Sequence, residues 1–100
     1  MDNRLEAVHP GEVLEEEFLK PLGITKYRLA KGIGVSATRI GEIIAKKRPI
    51  TTETALLLSR AFGTTAEFWI NLQTQYDLEI TEQQMRDRLN TIHQLLAEAA

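Results

Sequence analysis

Few side chains in this sequence can do covalent chemistry, and their spacing keeps them apart. It has no cysteine, which removes thiol catalysis, thiolate zinc sites and disulfides together. His9 and His93 are the only histidines and stand 84 positions apart, so no helical turn pairs them on a metal. His9 precedes a helix start and reads as a local hydrogen-bonding residue. Glu15, Glu16 and Glu17 are adjacent carboxylates. Consecutive helical positions point about 100° apart, so these three do not converge on a substrate and read as a solvated acidic face. The pattern is that of a binding protein with no catalytic residues, metal or cofactor.

The residue types that do cluster are cations. Residues 1–22 sum to −4, residues 23–48 to +6 and residues 49–100 to −4, giving the net −2 of the chain. The middle segment holds Lys26, Arg28, Lys31, Arg39, Lys46, Lys47 and Arg48 against Glu42 alone. A net negative chain argues against nucleic acid, yet binding responds to the local field rather than to the sum. Charge alone leaves a solvated basic face as an equal reading.

The elements that must position these cations all read helical, with no alternating stretch long enough for a strand. Pro10, allowed in a first turn, opens a helix whose Val13, Leu14, Phe18 and Leu19 form one stripe, and Pro21 and Gly23 stop it. Thr25 caps a second helix carrying Leu29, Ala30 and Ile33, ended by Gly34. Ser36 caps a third, with Val35, Ile40, Ile43 and Ile44 on its apolar side and Pro49 marking the exit. "TETALLLSRAF" makes a fourth helix with Ala55, Leu58 and Phe62 inward, stopped at Gly63. Thr64 and Glu67 fit a capping box for a fifth helix, whose stripe is Phe68, Trp69, Leu72 and Tyr76. Thr81 and Gln84 repeat that signal for a last helix over 81–98 with Met85, Leu89, Ile92 and Leu96. About six short helices therefore fill residues 1–100 as one domain, with a core over about 9–80 and a C-terminal helix over about 81–98.

Counting from Lys26, Ala30 is the fifth residue, Gly34 the ninth, Val35 the tenth, Ile40 the fifteenth and Ile43 the eighteenth. This is helix-turn-helix spacing: a small residue where the helices cross, a glycine for the turn, and apolar anchors on the crossing helix. The free face of the third helix then holds Ser36, Ala37, Thr38, Arg39, Gly41 and Glu42, the residues placed to read base edges in a major groove. Lys26, Arg28, Lys46, Lys47 and Arg48 flank it where phosphates would lie.

Beyond spacing, "HPGEVLEEEFLKPLGIT", "YRLAKGIGVS", "RIGEII" and "KRPITTETALLLSRAFGTTAEFWINLQTQYDLE" resemble the HigA-type antitoxins, an Xre/Cro-like helix-turn-helix family also described as plasmid-maintenance antidote proteins. The resemblance covers roughly residues 9–80. It implies an all-α, five-helix, lambda-repressor-like bundle with an additional C-terminal helix. It also implies a homodimer on palindromic operator DNA, a HigB-like partner toxin of the RelE-like messenger-RNA-cleaving kind, and repression of the shared operon. Gly41 and Lys46 depart from the family, which often has asparagine and glycine there. Gly41 removes a base-reading amide and costs about 1 kcal/mol of helix propensity against alanine. Lys46 requires either a left-handed conformation or a longer helix.

Trp69, at helical spacing, reads first as core and second as interface. Leu89, Ile92, Leu95 and Leu96 exceed what a five-helix core needs. Trp69, Tyr76, Leu89, Ile92 and Leu96 are thus the candidate dimer or toxin interface, with the acidic first helix a further docking face for a cationic ribonuclease. Two alternatives stay open: a stand-alone Xre-family repressor without a toxin, and a toxin-neutralising protein that has lost operator binding. No apolar run approaches the roughly 18 residues of a membrane span, and the start lacks the pattern of a signal peptide, so the cytoplasm is the expected location.

Overall fold

Five helices begin on a side chain that takes an orphan N–H of the first turn, each such cap contributing about 1 kcal/mol. The computed structural model describes residues 7–96, and among these every regular element is helical. His9 Nδ1 accepts from the Gly11 N–H at 2.9 Å and starts α1, which has α-helical Pro10–Val13, π-helical Leu14–Leu19 and α-helical Lys20–Leu22. Thr25 accepts from the Arg28 N–H at 3.0 Å before α2, Lys26–Ile33, and Ser36 from the Arg39 N–H at 3.0 Å before α3, Ala37–Ile44. Thr51 does the same for α4, Thr52–Phe62, and Thr65 for α5, Ala66–Gln84. A short α6, Arg86–Leu89, follows.

Packing follows the apolar stripes. Leu14 and Leu19 of α1, Leu29 and Ala30 of α2, Ile40 and Ile43 of α3, Ala55 and Leu58 of α4 and Trp69 of α5 form the buried core. A fully buried aliphatic chain of this size contributes about 1.5–3 kcal/mol. α1 lies against α3 and α5, α2 against α3 and α4, and α4 against α5. Gly11 sets the closest approach: a Cβ there would lie 1.9 Å from the Ile43 carbonyl oxygen. Only glycine lets the start of α1 touch the end of α3.

Four expectations change. Pro21 does not stop α1 but sits in its last turn, and the chain leaves the helix at Gly23 with φ +66°. The π turn before it, closed by the Lys20 N–H on the Glu15 carbonyl, widens the spiral that a proline ring would otherwise strike. Thr65 rather than Thr64 caps α5; the Thr64 hydroxyl instead accepts from the Trp69 indole N–H at 2.8 Å.

Thr81 opens no helix, because nothing between Tyr76 and Thr81 breaks α5, which continues to Gln84. The helix expected over 81–98 is interrupted again at Asn90 and Thr91. There the Thr91 hydroxyl donates to the Arg88 carbonyl at 2.7 Å and competes with the helical ladder. Residues 97 and 98 of that expected helix lie outside the described residues. Trp69 is fully buried, in keeping with its first reading as core, and so leaves the candidate interface set. Its ring packs 5.1 Å from Phe18 and 5.0 Å from Phe68.

Candidate nucleic-acid interface

Two helices and the turn between them build this surface. Gly34 takes φ +77°, which lets the chain leave α2 and re-enter at Ser36 in two residues. Ile40 and Ile43 are wholly buried, so α3 is held by its apolar side and its direction is fixed. Opposite that side, Ser36 and Thr38 are exposed while Gly41 and Glu42 are half-buried. Nothing lies within 4 Å of a Cβ built at Gly41, so its missing side chain leaves an open notch on the outward face.

Other candidates of the same set are placed differently. Ala37 is half-buried and packs against the core. Arg39 turns toward α4: its Nη2 donates to the Thr54 hydroxyl at 2.6 Å and to Glu53 Oε1 at 3.3 Å. Thr54 is itself buried and bonded to the Thr51 hydroxyl at 3.1 Å within the first turn of α4, so the Arg39 bond ties that turn to α3. In this conformation Arg39 braces α3 against α4, and its guanidinium is free for another partner only when it leaves Thr54.

The cations stand before and after α3 in the chain. Lys26 and Arg28 stand exposed on the first turn of α2, beside the exposed ring of Tyr27. Lys46, Lys47 and Arg48 are exposed in the loop after α3. Glu42 Oε1 accepts from Arg48 Nε at 2.8 Å, and Lys46 Nζ lies 3.6 Å from Glu12 Oε1. Among the described residues Lys26, Arg28 and Lys47 form no ion pair. Lys46 adopts φ +66°, so the left-handed alternative for this position is the one realised.

Gln73 was not singled out from the sequence. It is buried, its Oε1 accepts from the Ile50 N–H at 2.7 Å, and its Nε2 donates to Asp77 Oδ1 at 2.9 Å. With Ile50 buried beside it, Gln73 anchors the far end of the basic loop. The signal was a polar residue one helical turn after Trp69, on the inward stripe. Thr54 and Glu53, which hold Arg39, carried no comparable signal.

His9 is buried at the base of the same region, its ring edge-on to Tyr76 with centroids 4.8 Å apart. Burial pushes its pKa below the ordinary value, and the charge of Lys46 adds to the fall, against smaller opposing effects of Asp77 and Glu12. No group of three or more metal-ligating side chains gathers among the described residues, and no helix there is long and apolar enough to cross a membrane.

Residues 16–69 match the model of a family described as helix-turn-helix. Virulence-associated protein I of Dichelobacter nodosus is 47% identical over 97% of this chain and 89% of its own length. Antitoxin HigA-1 of Vibrio cholerae is 35% identical over 88% of this chain and 83% of its own. An uncharacterised HTH-type transcriptional regulator, YbaQ of Escherichia coli, is 37% identical over 88% and 82%. PA4674 of Pseudomonas aeruginosa, solved with an 18-base-pair operator, superposes with a TM-score of 0.88 at 35% identity, covering 92% of this chain and 98% of that one. The antitoxin HigA of the same organism, solved with the higBA promoter, gives 0.85 at 34%, covering 91% and 99%.

Proposed function

The chain belongs to the helix-turn-helix family of DNA-binding regulators, in its HigA-type antitoxin branch, and we propose that it is an operator-binding autorepressor that also neutralises a ribonuclease toxin. It is a binding protein rather than an enzyme. The carrying observation is the outward face of α3, where exposed Ser36 and Thr38 lie between two groups of cations. Two solved neighbours of the same fold are bound to operator or promoter DNA, which supports the same use of this face.

In this reading two copies related by a twofold axis place their α3 helices in successive major grooves, about 34 Å apart. Thr38 and Glu42 reach base edges through the notch at Gly41; Lys26, Arg28, Lys47 and Arg48 hold phosphates. A DNA partner puts the protein in the cytoplasm. Toxin neutralisation rests on the antitoxin names of the relatives and on the acidic face of α1, which complements a cationic, RNA-binding partner. The regulator naming of the Escherichia coli relative favours a second reading, a repressor without a toxin.

Titration of a labelled duplex from upstream of the chain's own reading frame tests the DNA-binding part. Lys47→Ala should weaken binding to this duplex and to random DNA alike, and flatten the salt slope by about one unit. Thr38→Ala should reduce discrimination between the two by about 1–3 kcal/mol per lost base contact. Wild-type protein that binds both duplexes equally ends the operator reading. Co-purification with the product of the adjacent reading frame separates the antitoxin from the solitary repressor.

A further inference from the structure

Among the described residues four take the left-handed conformation, and three are the glycines that end α1, α2 and α4. The fourth is Lys46, at the end of α3. The hydrogen bonds there form a regular glycine-type helix stop: the Lys47 N–H reaches the Glu42 carbonyl at 2.8 Å and the Lys46 N–H the Ile43 carbonyl at 3.1 Å. A side chain at that position strains the backbone where a glycine would not. The strain stands at the edge of the DNA-facing surface, and its cation faces a carboxylate from another helix, Glu12 Oε1 at 3.6 Å. Glu12 is brought there by the Gly11 contact with Ile43, which seats the start of α1 on the end of α3.

We propose that Glu12 is a positioning and specificity-determining residue for DNA binding, an internal stand-in for phosphate that holds the Lys46 ammonium at the groove edge and competes with DNA for it. The proposal rests on the operator-binding reading. In the free protein the carboxylate occupies the donor that DNA would use. A duplex gains the Lys46 contact only where a phosphate displaces Glu12, so loosely seated DNA gains little from it. Lys46 retains its strained backbone because a glycine there would stop the helix but carry no charge. Both side chains are about half exposed, so the competition is modest and screened by salt.

A double-mutant cycle on a labelled duplex from upstream of the chain's own reading frame, at low and at physiological salt, tests it. Glu12→Gln should raise affinity about two- to threefold at low salt and less at high salt. Lys46→Gly should raise the melting temperature by roughly 4 °C, lower DNA affinity and reduce the salt slope by about one unit. In the Lys46→Gly background Glu12→Gln should have no effect. An equal gain in that background would make Glu12 a general negative charge, and Lys46→Gly binding as tightly as wild type would detach the strain from DNA; either result overturns the proposal. Wild-type protein that fails to bind the duplex even at low salt would instead end the operator reading beneath it.

Discussion

His9 shows how much one side chain can hold at this scale. Its neutral Nδ1 accepts the Gly11 N–H, its ring rests on Tyr76, and it seats the turn that brings Gly11 against Ile43. A protonated ring cannot accept at Nδ1, and burial already disfavours the charged form, so the folded pKa lies below the ordinary 6.5. As pH falls past about 6.5 the unfolded chain takes up the proton first. Stability from His9 is therefore full above that pH and is lost on the way down through the lower folded value. Thermal unfolding of wild type should show this loss as the pH falls below about 6.5. His9→Asn, which keeps a capping oxygen and does not titrate there, should show a flatter profile. Equal slopes for the two proteins would place the proton uptake elsewhere.

Elements explain why the basic loop presents its charges where it does. α3 enters through a cap and leaves through a left-handed stop, and the loop beyond is pinned at Ile50 by Gln73 from α5. Gln73→Leu removes the acceptor and leaves a buried N–H unpaired, at a cost of about 1–3 kcal/mol. Calorimetry should show a melting temperature lower by roughly 4–8 °C per kcal/mol, with DNA binding weakened for operator and random sequence alike. An unchanged melting temperature would mean that water reaches the Ile50 N–H and that the anchor is dispensable.

The same elements show what the sequence makes legible. Thr25, Ser36 and the Thr52–Phe62 helix were readable because caps, glycine stops and a 3.6 period agreed locally. Thr64 and Thr81 misled because a capping box is a local pattern, whereas a helix start also needs a break before it. The outward placement of Thr38 followed from the buried period of Ile40 and Ile43. The turning of Arg39 onto Thr54 did not, because that contact spans fifteen residues and depends on how α4 docks.

Across the whole molecule, α5 and the segment after it carry more apolar surface than the core can use. The described residues extend 55 Å along their longest axis against 28 and 22 Å on the others. Leu78, Leu89, Ile92 and Leu96 are exposed, Leu96 by 83%. A shallow groove lined by Leu78, Met85 and Leu89 runs between α5 and α6. In the proposed operator reading two copies sit in fixed relation on a palindrome, and this face offers the apolar area to hold them. Ile92→Asp with Leu96→Asp should leave the melting behaviour of the dilute single chain unchanged, since both side chains are already solvated in it. Sedimentation should show the protein shifting from dimer to monomer. Affinity for an operator-containing duplex should then fall far more than affinity for random DNA, because only the operator uses both half-sites at once. A variant that stays dimeric at micromolar concentration would move the twofold axis off this face.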